Sequence, residues 1–223
     1  LATCFRGFGG EATAQLGPAR ARTSSHRLRL RQLVGLGEEK MALAARDRGA
    51  VMLPPVIDFF PASELNRSLY IWLAAYMAQM HFPPPGPSDP LKADLAALDA
   101  ARMNARRVVS AFPGLATAYK ALCRALLDER RRGHLPAVEQ LVENRVIGIL
   151  RAGAGLPDDL PPAIFPRHAP AGYQRMLAVP LWPNFEPRQE VSTALSDEEE
   201  AAKANGAVET HGHFRADRET SKQ

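Results

Sequence analysis

Large apolar side chains recur at steps of three and four residues in four stretches of the chain, which is the spacing of one face of an α-helix. The clearest stretch begins after Pro61, with Ser63 as a suitable N-cap residue, and runs to about Met80. Apolar positions occur on more than one side of this helix. We therefore expect it to lie at the centre of the core, with the core residues Leu65, Leu69, Tyr70, Trp72, Leu73 and Tyr76.

Three further helices are expected downstream. A proline-rich loop over residues 82–90 leads to a second helix, with Asp89 as its cap and Pro90 at its first position. Pro113 and Gly114 separate the second helix from the third, and the fourth runs from Pro136 to about residue 152. Four helices joined by short breaks predict an all-α fold, a bundle over residues 51–153 with only a short strand at residues 51–53.

The flanking segments lack this periodicity. Residues 1–50 are rich in small and basic residues and predict a basic, largely flexible N-terminal arm. Residues 154–195 contain too many prolines for regular helix but also large apolar groups such as Trp182, so we expect them to wrap against the bundle. Residues 196–223 are nearly free of large apolar groups and predict a disordered polar linker.

Charge is distributed unevenly, although the net charge is only +4. Arginines cluster between positions 20 and 31, but no aromatic residue lies among them to stack on bases. A solvated arm is therefore favoured, no nucleic-acid partner is expected, and a basic nucleic-acid-binding module is the alternative from another class. Arginines after the third helix fit either an exposed helix end or a surface for an acidic partner. The candidate partner-binding residues are Arg67, Arg130, Arg131 and Arg132.

Motifs typical of catalysis or cofactor binding are missing from the sequence. No phosphate-binding loop, nucleophile elbow or paired cysteine motif occurs, and Asp158 and Asp159 fit a solvated turn. His211 and His213 lie in a polar tail without further metal ligands. We expect no catalytic residue, no metal and no cofactor, with an enzyme that binds a small ligand between its helices as a third hypothesis.

Cysteine content and hydropathy indicate a cytoplasmic protein. Cys4 and Cys123 are the only thiols and lie far apart, which is not the pattern of a disulfide framework. The longest apolar run has about twelve residues, whereas a membrane span needs about twenty, so no membrane insertion is expected. The sequence does not begin with Met, and we expect a fragment or a translation that starts upstream of Met41.

One segment carries a recognisable pattern. A proline-bounded apolar stretch over residues 53–61 leads into Leu65, Asn66, Arg67, Leu69, Tyr70, Trp72, Leu73, Ala74 and Ala75. In this order these residues resemble the N-terminal region of the NorD/CbbO family, and residues 35–44, 179–182 and 215–222 also look like parts of it. The resemblance covers most of residues 33–222, and the NorD-like branch is preferred.

The resemblance implies an accessory protein rather than an enzyme. Members of this family work with a MoxR-type AAA+ ATPase to activate a client enzyme, which is nitric oxide reductase for NorD and inhibited rubisco for CbbO. They carry a C-terminal von Willebrand factor A domain with an Asp-x-Ser-x-Ser metal motif, which is absent from this sequence. The resemblance therefore implies that residues 51–195 are an ATPase-docking module and that residues 196–223 begin a tether to a missing A domain.

Overall fold

Four long helices, one short helix and a small β-sheet form the described part of the chain. The computed structural model describes residues 2–18, 44–47, 49–54, 56–81, 86–130, 135–157, 159 and 162–185. The helices are α1 (Ala2–Gly7), α2 (Ser63–Ala78), α3 (Pro90–Ala111), α4 (Ala116–Glu129) and α5 (Ala137–Gly153), with a 3-10 turn at Pro113–Leu115. The strands are β1 (Gln15–Pro18), β2 (Ala45–Arg46), β3 (Ala50–Leu53) and β4 (Asn184–Phe185). The described residues all belong to one compact unit, and residues 186–223 lie outside the described residues.

Of the two helix caps predicted from the sequence, one is observed and the other is not. The Asp89 carboxylate accepts a hydrogen bond from the Lys92 backbone N–H at 3.0 Å, and Pro90 is the first helical residue, as predicted. Ser63 is not the N-cap of α2, because Ala62 holds that position without a side-chain hydrogen bond. The turn before α2 is fixed instead by Asn66, whose Oδ1 accepts from the Phe60 N–H and whose amide donates to the Phe60 carbonyl.

The helix-rich prediction is confirmed, but the all-α class needs correction because a four-stranded sheet is present. The strand order is β1-β3-β2-β4, with β3 parallel to β1 and antiparallel to β2, and with β2 parallel to β4. The short strand expected at residues 51–53 belongs to β3. Its neighbours are only two to four residues long. They are too short to show a two-residue alternation, so tertiary pairing makes them strands.

The described part of the N-terminal arm is also a correction, since it belongs to the folded unit. Phe5 of α1 is fully buried, and a Cβ on Gly10 would lie only 2.3 Å from its ring. The Arg46 guanidinium lies 5.6 Å from the centre of that ring and donates to the Met77 carbonyl near the end of α2. Phe5 and Phe8 have helical spacing, but one turn followed by glycines is too short to predict a helix. The rest of the arm, residues 19–43, lies outside the described residues.

Trp72 of α2 lies at the centre of the core. Leu69, Trp72, Leu73 and Tyr76 are buried, whereas Leu65 and Tyr70 are partly buried. The Trp72 ring stacks on that of Tyr119 from α4 with centroids 4.0 Å apart. Its indole N–H donates to the carbonyl of Leu181 at 2.8 Å, which ties the proline-rich segment to α2. Met103 of α3 lies outside this core and is 59% exposed.

Candidate functional site

Arg130, predicted as a partner-binding residue, is held inside the protein. Its Nε and Nη2 donate to the two carboxylate oxygens of Glu143 on α5, at 2.5 and 2.8 Å. Both side chains are at least nine-tenths buried. This bidentate geometry is the strongest form of an Arg–carboxylate contact. The Nε and Nη2 donors of Arg130 are therefore already used and are not available to a partner protein. The expectation that Arg130 presents an exposed helix end is corrected, because the chain folds back over the end of α4.

The other candidate arginines divide into two groups. Arg67 is exposed on α2, so it is accessible to a partner. Arg131 and Arg132 lie outside the described residues. Of the two described candidates, Arg67 is exposed and Arg130 is buried.

A groove of about 340 Å³ lies between α4 and α5. Its lining residues are basic, acidic and apolar, and they are Arg124, Leu127, Asp128, Arg130, Ile147, Arg151 and Leu156. Arg151 is turned toward the following loop, where its Nη2 contacts Asp159 at 2.5 Å and its Nε donates to the Pro157 carbonyl at 2.9 Å. The Asp159 carboxylate therefore forms an ion pair with Arg151. This contact is structural and differs from the paired carboxylates of an acid–base site.

A buried carboxylate, Asp94 on α3, was missed by the sequence analysis. It is fully buried and accepts from the Tyr173 hydroxyl at 2.8 Å, from Arg175 Nε at 2.5 Å and from the Met176 N–H at 2.8 Å. The sequence does contain a signal for it, which is a charged residue on an otherwise apolar helix face. Leu91 lies three residues before Asp94 and Leu98 four residues after it, so all three lie on the same face of α3. Asp94 clamps the proline-rich segment onto α3.

Glu139 and Glu143 are two more buried carboxylates, and they interrupt the apolar face of α5 as Asp94 interrupts that of α3. Both are buried, and they lie one turn apart on the face that also carries Val142 and Val146. Glu143 pairs with Arg130, and Glu139 accepts from the Gln174 N–H at 3.1 Å. These carboxylates hold the end of α4 and the proline-rich segment against α5. Their partners are structural groups of the same chain.

Burial favours the neutral forms of one thiol and two phenols in the core. Burial raises the pKa of the Cys123 thiol to about 12, and it also raises the pKa of Tyr76 and of Tyr119. A thiol with such a pKa is a poor nucleophile at neutral pH. Within the described ranges, no group of three or more His, Cys, Asp or Glu residues is placed to hold a metal ion. In the same part of the chain, no helix combines the length and apolar character needed to cross a membrane.

Comparison with known proteins shows which sequences this chain resembles. Over 200 residues, which are 89% of the chain, the sequence is 51% identical to Protein NorD of Brucella abortus (strain 2308) and to Protein NorD of Brucella melitensis biotype 1. Over these residues the chain is similar to one part of Protein NorD. The identity to Protein NorD of Brucella suis biovar 1 is 50% over the same length. No protein-family model and no solved structure matches the chain.

The similarity to NorD supports the NorD branch of the expected resemblance. The chain spans 32% of the length of these NorD relatives. For this chain, the activity and partners of a whole NorD protein are therefore proposals. The same holds for the A domain, for the ATPase partner and for membership of the CbbO branch.

Proposed function

We propose that this chain is a region of a non-enzymatic accessory protein that works with a MoxR-type AAA+ ATPase to activate nitric oxide reductase. The observation that carries the proposal is the 51% identity to Protein NorD over 200 residues. The client and the ATPase come from the resemblance to the NorD/CbbO family. The proposed location is the cytoplasm, which the two unpaired cysteines favour.

The architecture supports a body that is held by other proteins. Its buried charged groups, Asp94, Glu139 and Glu143, bind other segments of the same chain. Its buried thiol, Cys123, has a raised pKa that suits packing rather than chemistry. A rigid body of this kind can be gripped by an ATPase, while a flexible tether raises the effective concentration of an attached domain near its client.

Direct binding to the cognate MoxR-type protein tests the ATPase part of the proposal. The whole chain is used, because β1 pairs with β3 and a fragment that starts at residue 51 would lose that pairing. We expect saturable binding, weakened when Arg67→Glu reverses the exposed charge on α2 and unaffected by Arg106→Glu on α3, which is also exposed. No binding by this chain under conditions where the full-length NorD protein binds would refute the docking role.

Activity in cells tests the client. Deletion of the full-length gene is expected to lower nitric oxide reductase turnover while the amount of that enzyme stays unchanged. If rubisco activation fell instead, the CbbO-like alternative would replace the NorD-like one.

The nucleic-acid alternative rests on residues 20–31, which lie outside the described residues. It stays a prediction from another class. Titration of RNA and DNA binding against salt separates the two hypotheses, because binding through phosphate contacts weakens steeply as salt rises.

A further inference from the structure

A proline-rich strap, residues 162–178, lies across α3 and α5 and is held there by side chains of the helical body. Three of its backbone N–H groups donate to carboxylates, and the pairs are Ala169 with Asp89, Gln174 with Glu139 and Met176 with Asp94, at 2.9, 3.1 and 2.8 Å. Arg130, at the end of α4, donates to the Leu177 carbonyl through Nη2 at 3.4 Å. Hydrogen bonds to the backbone of an extended segment are also the means by which separate peptides are bound.

Asp94 binds two side chains of the strap at once. Its carboxylate accepts from the Tyr173 hydroxyl at 2.8 Å and from Arg175 Nε at 2.5 Å, in addition to the Met176 N–H. Asp94 is fully buried, and hydrogen bonds to an ionised carboxylate are stronger than those between neutral groups. This site therefore fits a tyrosine and an arginine that lie two residues apart on an extended backbone.

The strap and the face of the helical body beneath it carry opposite charges. The strap contains Arg167, His168 and Arg175 and no acidic residue. The charged groups of the face are four carboxylates and one guanidinium, those of Asp89, Asp94, Glu139, Glu143 and Arg130. Since Arg130 and Glu143 form an ion pair with each other, three carboxylates remain to meet a basic segment.

The junction between the strap and α5 is polar and incompletely filled. A cavity of about 20 Å³, room for roughly one water molecule, lies between Glu139 and Glu143 of α5 and residues 173–177 of the strap. Burial of charged groups is costly, so lifting the strap returns charges to water and offsets part of the contacts that are lost. Beyond the strap, Leu181 and Trp182 are buried in the core. These features favour opening of the strap as a loop while the anchor at Leu181 and Trp182 stays in place.

We propose that this face of α3 and α5 binds a basic, extended segment of a partner protein, and that the chain's own strap occupies the face as a competing ligand. The partner segment carries a tyrosine and, two residues later, an arginine, both of which bind Asp94. Binding requires the strap to open, so the strap is an autoinhibitory element whose closed population lowers the apparent affinity for the partner. The proposal goes beyond the accessory function and depends only on contacts within this chain.

Hydrogen–deuterium exchange of the whole chain tests whether Asp94 holds the strap. Arg175→Glu places a second carboxylate next to Asp94, so the amides of residues 173–177 are expected to exchange at least about tenfold faster than in the wild type. The amides of α3 and α5 should exchange at unchanged rates. Arg167→Glu is the matched control, because Arg167 is an exposed strap residue without an ion pair among the described residues, and it should leave strap exchange unchanged.

Binding of a labelled peptide with the sequence of residues 162–178 tests recognition by the uncovered face. Fluorescence anisotropy is expected to show binding to the Arg175→Glu chain at least about tenfold tighter than to the wild type, because the wild-type strap competes. The same peptide with Arg175→Glu should bind at least about tenfold more weakly, since it brings a carboxylate to Asp94. A peptide with Arg167→Glu is the control and should keep its affinity within about twofold.

Circular dichroism shows whether each variant is folded. Arg175→Gln, which removes the charge without adding a carboxylate, replaces Arg175→Glu in both experiments if the latter chain is unfolded. It is expected to open the strap in the same direction, because Asp94 then loses its charged donor.

Three results would overturn the proposal. Unchanged strap exchange in the Arg175 variants would show that Asp94 does not hold the strap. Loss of helical circular dichroism in both Arg175 variants would show that the strap is an inseparable part of the core. Equal affinity of the peptide for the wild-type and opened chains, or binding to neither, would refute recognition by this face. Loss of ATPase binding with peptide binding intact would refute only the accessory role.

Discussion

At the scale of single residues, a few buried polar contacts determine how the helices are held. Trp72 combines a stacked contact with Tyr119 and a hydrogen bond to the Leu181 carbonyl. One side chain therefore connects α2, α4 and the proline-rich segment. Arg130 and Glu143 form the corresponding polar contact between α4 and α5. These residues are the places where a single substitution has the largest effect.

Trp72→Ala is expected to lower the free energy of unfolding by about 3–5 kcal/mol, because it removes a large buried ring and leaves a cavity. Urea denaturation followed by circular dichroism measures this change. Ile71→Ala, on the neighbouring and partly exposed position, is the control and should cost under about 1 kcal/mol. A cost for Trp72→Ala below that of the control would contradict the central position of this residue.

Glu143→Gln is expected to destabilise the protein by about 3–5 kcal/mol, because it leaves the Arg130 charge buried without its counter-ion. Asp99→Asn provides the matched control, since Asp99 pairs with Arg145 at 2.7 Å but both side chains are 40% exposed or more. An exposed pair of this kind contributes at most about 1 kcal/mol. Equal effects of the two substitutions in denaturant titrations would show that the Arg130–Glu143 pair is not shielded from water.

At the scale of elements, the sequence predicts the helices better than anything else. Runs of apolar residues at helical spacing locate α2 to α5, and a single cap, Asp89 with Pro90, is correct in detail. The sheet escapes prediction because β2 and β4 have two residues each, so their conformation is imposed by partners distant in sequence. Helix α1 escapes because it has only six residues, ends at Gly7 and is followed by glycines at positions 9 and 10, so the three-residue spacing of Phe5 and Phe8 extends over a single turn.

In the candidate site, too, local sequence predicts some features and contacts between distant residues determine the others. The arginines at the end of α4 are visible in the sequence as a charge cluster, but the burial of Arg130 depends on Glu143, which approaches from another helix. Glu143 and Asp94 both interrupt apolar faces, and that interruption is a usable signal of a buried polar contact. The groove itself is formed by two helices and a loop, so its shape cannot be predicted from either helix alone.

The N-terminal cap of α3 gives a pH dependence. The Lys92 backbone N–H, and after it the Ala169 N–H, donate to the Asp89 carboxylate and hold its pKa below the ordinary value of 3.8. A carboxyl whose pKa is lower in the folded state stabilises the protein above its unfolded pKa, and this contribution is lost as the pH falls through the folded pKa. The cap is therefore fully effective at neutral pH and weakens below about pH 4.

Asp89→Asn tests this dependence. The amide has one acceptor oxygen for two N–H donors, so the variant should melt at a lower temperature than the wild type at neutral pH. We expect the difference in melting temperature to narrow as the pH falls below about 4, because the wild-type carboxylate is then being protonated. Asp58→Asn, at an exposed position, serves as the control. A difference that stays constant between neutral and acidic pH would show that the charge of Asp89 does not stabilise the cap.

At the scale of the whole molecule, both ends of the described unit meet in one sheet. Strand β1 comes from the N-terminal segment and β4 from the end of the proline-rich segment, and both pair with the β2–β3 hairpin. Helix α1 packs on α2, and its Phe5 belongs to the buried core. The long helices are thus only part of the folded body, and segments that look dispensable in the sequence complete its core.

Removal of residues 1–18 is expected to destabilise the protein by at least about 3 kcal/mol, since it exposes the site of Phe5 and leaves β3 without its parallel neighbour. Thermal melting followed by circular dichroism measures the loss. Removal of residues 203–223, which are polar in composition, should leave the melting temperature nearly unchanged. Similar melting temperatures for both truncated chains would contradict a structural role for α1 and β1.

The pairing of β4 with β2 has a consequence for synthesis on the ribosome. Residues 45 and 184 are partners across the sheet, and the Trp72 indole N–H donates to the Leu181 carbonyl, which lies 109 positions later in the chain. Helices form locally and early, whereas contacts between distant residues form slowly. The indole N–H of Trp72 in the nascent chain therefore lacks its acceptor until translation passes Leu181, and during this interval the incomplete core is exposed to aggregation and to chaperones.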